Sequence, residues 1–234
     1  MARLSRLYLA GFPQVARHQA VPGDVITQNE GDLEALTRLV VECARTHQFA
    51  LHAFVVLPAE LRLVGTGATE NALPLTMQAI SRRYVAPFNK RANRSGPLWA
   101  SRFRSTVVDA EGWLLTAMAS IEHAPSHLGL VADPAHYPWS SYRHHVGLAA
   151  DMELTDHREY WRLGNTPFER QRVYLAKAAS LAAIREDTRL WHAVQTGWAL
   201  GPDEFTARLS QLSGRRSAPL PRGRPQKSPP AEAS

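Results

Sequence analysis

Glu60 and Arg62 stand two residues apart within residues 51–65, LHAFVVLPAELRLVG, a stretch that is otherwise almost wholly apolar. Val, Leu and Phe dominate it, so it reads as two strands, 51–57 and 60–65, meeting at a Pro58-Ala59 turn. Side chains alternate along a strand, which puts Glu60 and Arg62 on one face and leaves Leu61 pointing inward between them. A carboxylate and a guanidinium so placed either form an ion pair on the solvent face or present groups to a ligand or reacting atom. Other chemically capable residues are scattered. His123, His127, His136, His144 and His145 follow no common metal-site spacing. Ser120, Ser140 and Ser141 lack the glycine pattern of a nucleophile elbow. The single cysteine, Cys43, lies among apolar residues at helical spacing, where a buried inert thiol is expected.

Charge narrows the choice of partner. The 234 residues carry a formal net charge of +6 with a pI near 9.9, and Arg greatly outnumbers Lys. Arginine suits bidentate phosphate contacts, so this balance fits nucleic acid, or else an acidic membrane surface. Residues 84–104 interleave Tyr84, Phe88, Trp99 and Phe103 with Lys90, Arg91, Arg94, Arg102 and Arg104. Such a pattern can stack unpaired bases while the charges follow a phosphate backbone. Tyr84 and Phe88 fit a helix's apolar stripe better; Arg102 and Arg104, at a strand start, suit phosphate. Near the end, Pro221-Arg222-Gly223-Arg224-Pro225 resembles an AT-hook, which lays both arginines along an A·T-rich minor groove. The alternative is a solvated basic tail, which still adds salt-dependent affinity for phosphate. No stretch has the length of a membrane span, and the apolar run after Arg3 and Arg6 is too short for a signal peptide, so a cytoplasmic, nucleoid-associated protein is expected.

The elements that must position these groups follow from periodicity. A strand is expected over 12–19, a helix over 31–47, the hairpin just described, a helix over 74–91, a strand over 101–108 and a helix over 111–121. This order predicts an α+β fold, a ferredoxin-like split βαβ with an antiparallel sheet of four to five strands and helices on one face. The open face would then be available to nucleic acid. The organisation expected is a domain over 1–147, a helical extension over 148–214 and a disordered basic tail over 215–234.

Several stretches carry a resemblance: LHAFVVLP (51–58), the helix end from Arg83-Tyr84 to Asn89, GPLWASRFRS (96–105), Pro125, Gly129-Leu130-Val131 and YPWSSYRHHVG (137–147). GWALG (197–201), Phe205, Gly214-Arg215-Arg216 and RGRPQK (222–227) extend it. In order and spacing the chain resembles the single-tyrosine HUH transposases, in particular the repeat-associated tyrosine transposase branch. That resemblance implies two strand histidines and a helix ligand holding Mg²⁺ or Mn²⁺, and a helix tyrosine that attacks single-stranded DNA beside a hairpin, leaving a 5′-phosphotyrosine.

The sequence departs at each point. The histidine positions fall on Glu60 and Arg62, the tyrosine on Ser120 and the helix ligand on Ala124. Glu60 alone retains a donor for a hard cation, while Arg62 has no lone pair. The expectation is therefore a DNA-binding protein of the transposase family that no longer cuts. Contacts are expected from Arg62, Arg83, Lys90, Arg91, Arg102 and Arg104, with Arg222 and Arg224 in the tail. No cofactor is expected, and the partner is hairpin or single-stranded DNA, with a homodimer compatible. Two alternatives stay open: an active Mg²⁺- or Mn²⁺-dependent nuclease using Glu60, Ser120, Glu122 and His123, and an RNA-binding or protein-interaction module.

Overall fold

The computed structural model describes residues 6–150, 153–182 and 186–219. Four strands, β1 (Pro13–Gln19), β2 (Phe49–Leu57), β3 (Glu60–Gly67) and β4 (Arg104–Val107), form an antiparallel sheet in the order β2-β3-β1-β4. With α1 (Glu30–Thr46) between β1 and β2, and α2 (Ala72–Arg91) between β3 and β4, this is the expected split βαβ arrangement. Local chemistry sets the helix starts. The Asn29 side chain accepts from the Asp32 amide at the head of α1, and Asp109 accepts from Gly112 at the head of α3 (Ala110–Glu122).

The sheet is buried on both faces, not one. Ala16, Phe54, Val56, Leu61 and Leu63 face α1 and α2, in a core with Leu36, Val40, Met77, Ile80, Tyr84 and Phe88. The alternate set, Val15, Ala53, Val55, Leu57 and Val64, packs under α3 together with α7 (Pro167–Ala182) and α8 (Glu186–Thr196). The open face expected from the sequence is therefore covered. The cause lies in the strands themselves, since every residue from Leu51 to Leu57 is buried and all but His52 are apolar, as burial on both faces requires. Residues beyond 147 share this second core through Tyr160, Tyr174, Ala178, Leu190 and Val194.

Short helices α4 (Ala124–His127), α5 (Tyr142–His145) and α6 (Arg158–Trp161) connect these layers, and α9 (Asp203–Ser213) follows α8. The fully buried Glu122 ties three of the helices together. Its carboxylate accepts from His145 Nδ1 (2.6 Å) and Ser141 Oγ (2.5 Å) at α5 and from the Tyr174 hydroxyl (2.7 Å) on α7. Burial pushes the Glu122 carboxyl up, but His145, Ser141 and Tyr174 together outweigh that and hold it below the ordinary carboxylate range. The first residues of the expected disordered tail are also held. Ser217 is fully buried, with its hydroxyl on the Thr206 carbonyl (2.5 Å) and its own carbonyl accepting from Ala199 (2.8 Å). No helix among the described residues is long and apolar enough to cross a membrane.

Gly65 is one position where only glycine fits. A Cβ there would lie 2.5 Å from both the Ala50 carbonyl and the Phe49 ring. Gly65→Ala is expected to cost about 1–3 kcal/mol of stability, read from urea unfolding midpoints. Acid acts elsewhere. Burial pushes the His18 and His52 imidazoles down from 6.5 to about 4. In the unfolded chain they take up protons near 6.5, so the stability they contribute is complete above that pH and lost as pH falls towards about 4. The urea midpoint should drop through this window, and His52→Gln, retaining polar contacts to Thr155 and Thr66, should flatten the drop.

Candidate functional site

Register assembles the site. Arg17 on β1 stands directly opposite Arg62 on β3 and opposite Arg104 on β4, so three arginines form a row across the sheet on one face. Like charges in adjacent cross-strand positions repel, and Glu60 relieves part of this. Its Oε2 accepts from Arg17 Nε at 2.5 Å and its Oε1 accepts from Arg62 Nε at 2.6 Å. The three arginines and this one bridging carboxylate leave a net positive row. Glu60 and Arg62 do share a face, with Leu61 in the opposite core, but the pair is not at the solvent surface: their side chains are 7% and 12% exposed.

Trp191 from α8 covers the pair. Its ring lies 4.4 Å from the Arg62 guanidinium and 5.7 Å from that of Arg17, and its Nε1 donates to Ser120 Oγ at 3.0 Å. A continuous chain of contacts thus runs from Arg17 through Glu60, Arg62 and Trp191 to Ser120. Beside it opens a cleft of about 580 Å³. Arg17, Gln19, Glu60 and Arg62 supply its polar lining, while Leu57, Pro58, Ala59, Leu128 and Leu130 supply an apolar one. Leu128 and Leu130 are 54% and 43% exposed, which is unusual for leucine and gives the basic floor an apolar rim. At the mouth Asp24 pairs with Arg94 at 2.6 Å.

The donor set here does not fit a divalent cation. Both Glu60 oxygens are engaged by guanidinium groups, Arg62 repels a cation and Ala124 is a buried apolar residue in the α3 core. The alternative constellation of Glu60, Ser120, Glu122 and His123 falls into two groups. Glu60 and Ser120 meet through Arg62 and Trp191, whereas Glu122 is bonded to α5 and α7. His123 Nδ1 contacts the Ala119 carbonyl at 3.0 Å and its ring packs against Tyr142.

Other expected contact residues are placed apart from the row. α2 packs in the opposite core, and Arg83 clamps Glu42 of α1 through two bonds of 2.9 Å. Arg91, also on α2, pairs with the buried Asp32, and Lys90 beside it is exposed. Arg102 is exposed just before β4 and Arg104 is half-buried within the row. Arg222 and Arg224 lie outside the described residues. Arg17 and Trp191 went unnoticed in the sequence. Arg17 does follow Val15 at strand spacing, but nothing local announces that Arg62 and Arg104 flank it, and Trp191 arrives from a helix some seventy residues beyond Ser120.

The fold is an antiparallel α+β sheet in the order β2-β3-β1-β4 with helices on both faces. It is similar to the structure of a REP-associated tyrosine transposase bound to a REP hairpin, with a TM-score of 0.53 over 68% of this chain and 93% of that one, at 16% sequence identity. No family model matches the chain, and no curated protein matches it.

Removing the bridging charge tests the cluster. Glu60→Gln leaves Arg17 and Arg62 opposed beneath Trp191, and a loss of about 2–4 kcal/mol is expected in chemical denaturation.

Proposed function

We propose that this protein binds hairpin or single-stranded DNA in the cleft beside β3 and does not cut it. The observation that carries the reading is the cross-strand row of Arg62, Arg17 and Arg104, neutralised only in part by Glu60, of which Arg62 and Arg17 line an apolar-rimmed cleft and Arg104 continues the row on β4. Guanidinium groups in such a row match successive backbone phosphates, and the leucine rim gives unpaired bases an apolar surface. The shared fold supports it, since the similar transposase was solved bound to a REP hairpin. A cleft of about 580 Å³ accommodates an unpaired nucleotide.

Absence of cleavage follows from the chemistry of the same residues. In-line displacement at phosphate needs an activated nucleophile and a cationic clamp that leaves the phosphate reactive. Here Arg62 stands where a metal ligand is expected, and the Ser120 hydroxyl accepts from the Trp191 indole. We assign to Arg62 and Arg17 the positive charge that a metal supplies in an active relative. The tail arginines Arg222 and Arg224 add affinity for A·T-rich duplex beside the hairpin, and DNA binding of this kind places the protein on the nucleoid.

The test is binding of a labelled hairpin with a single-stranded flank at several salt concentrations. Arg17→Ala, Arg62→Ala and Arg104→Ala should each weaken binding about tenfold and lower the slope of log K against log salt by about one. Unchanged affinity and slope in all three would remove the cleft from the interface. Incubation with Mn²⁺ should give neither a nick nor a covalent adduct; either product overturns the non-cleaving reading. Stronger competition by RNA of equal length would move the assignment to RNA.

A further inference from the structure

We propose that His144, His145 and Asp156 form a binding site for a single zinc ion, separate from the position discussed above. Their donor atoms all lie within 4.8 Å of one another. Asp156 Oδ1 is 3.2 Å from His144 Nε2 and 3.7 Å from His145 Nε2. Donors around a tetrahedral zinc with bonds of about 2.0–2.1 Å stand about 3.3 Å apart, so both separations bracket the required edge.

Three features beyond the cluster itself point to a ligand. His145 is fully buried, yet among the described residues its Nε2 has no hydrogen-bond partner, and that nitrogen faces Asp156. Its other nitrogen, Nδ1, is bonded to Glu122 Oε1 at 2.6 Å, and Glu122 is itself fixed by Ser141 and Tyr174. This is the carboxylate–histidine pairing that sets the tautomer and aims Nε2 at a metal. Lastly, a cavity of about 200 Å³, lined by His144, Asp156, Tyr160, Arg170 and Gln171, reaches the cluster and leaves room for a water as fourth ligand.

The ligand types choose the metal. Two imidazoles and one carboxylate favour zinc over magnesium or calcium, which prefer all-oxygen surroundings. Arg170, stacked 3.9 Å over the Trp161 ring, lines the same cavity, and its charge is one that the anionic Asp156 and Glu122 must offset for a cation to bind. Such a site joins α5 to the segment entering α6. It therefore fastens the region that carries α7 and α8, and Trp191 with it, to the sheet.

The experiment uses the full chain, freed of any affinity tag and stripped with a chelator. Titration with zinc chloride should show one equivalent bound and a rise in melting temperature, with no response to Mg²⁺. Cobalt substitution should give the visible bands of a tetrahedral site. Asp156→Asn and His144→Gln should each weaken zinc binding at least about tenfold, while the chelated variants melt close to the chelated parent. Failure of the parent to take up stoichiometric zinc overturns the proposal, as do parent-like affinities in both variants. It also falls if the variants lower the melting temperature equally with and without zinc, which would mark a hydrogen-bonded charge network alone.

Discussion

Three guanidinium groups lie side by side across β3, β1 and β4, and the antiparallel register that pairs Arg62 with Arg17 and Arg17 with Arg104 leaves them no freedom to separate along the strands. Coulomb repulsion at such spacing is tolerable only with a counter-charge, which Glu60 provides to two of them. The same carboxylate that steadies the row is thereby consumed by it. A carboxylate that in isolation suits a cation becomes here the counter-ion of two arginines. The indole of Trp191 completes the cluster by covering Arg62 and holding Ser120.

That cover depends on the helical extension. Because both faces of β2 are apolar, one layer of helices cannot bury the sheet, and α3, α7 and α8 supply the second layer. Docking them demands a polar join, and the Glu122 network with His145, Ser141 and Tyr174 provides one inside the core. A fully satisfied buried carboxylate specifies how α3, α5 and α7 sit relative to one another, since any other arrangement strands a charge. The two polar clusters thus divide the labour: one fixes the second layer, and the other lies beneath it and faces the cleft.

Much of this architecture was legible from periodicity. The strands around Pro58-Ala59 and the helices α1, α2 and α3 all fall where alternation, helical spacing and turn residues put them. The second helical layer was readable in principle from the continuous apolar run over 53–57 in β2. Placement of the basic residues was a different matter. Arg83 and Arg91 belong to the same chemical type as Arg17, yet they are occupied with Glu42 and Asp32 on the far side of the sheet. Local sequence gives a charge its position on a helix or strand but not its partner.

By itself, the sequence determined the element order and the alternate facing of Glu60 and Arg62, because these rest on backbone periodicity that acts within a few residues. Only the tertiary structure decided that Arg17 and Arg104 join Arg62, that Trp191 caps the pair, and that His144, His145 and Asp156 converge behind Glu122. Those juxtapositions arise from strand register and helix docking, which are set by burial of apolar faces over the whole chain. No spacing in the sequence encodes them, since residues brought within 4 Å of each other here can be more than seventy positions apart.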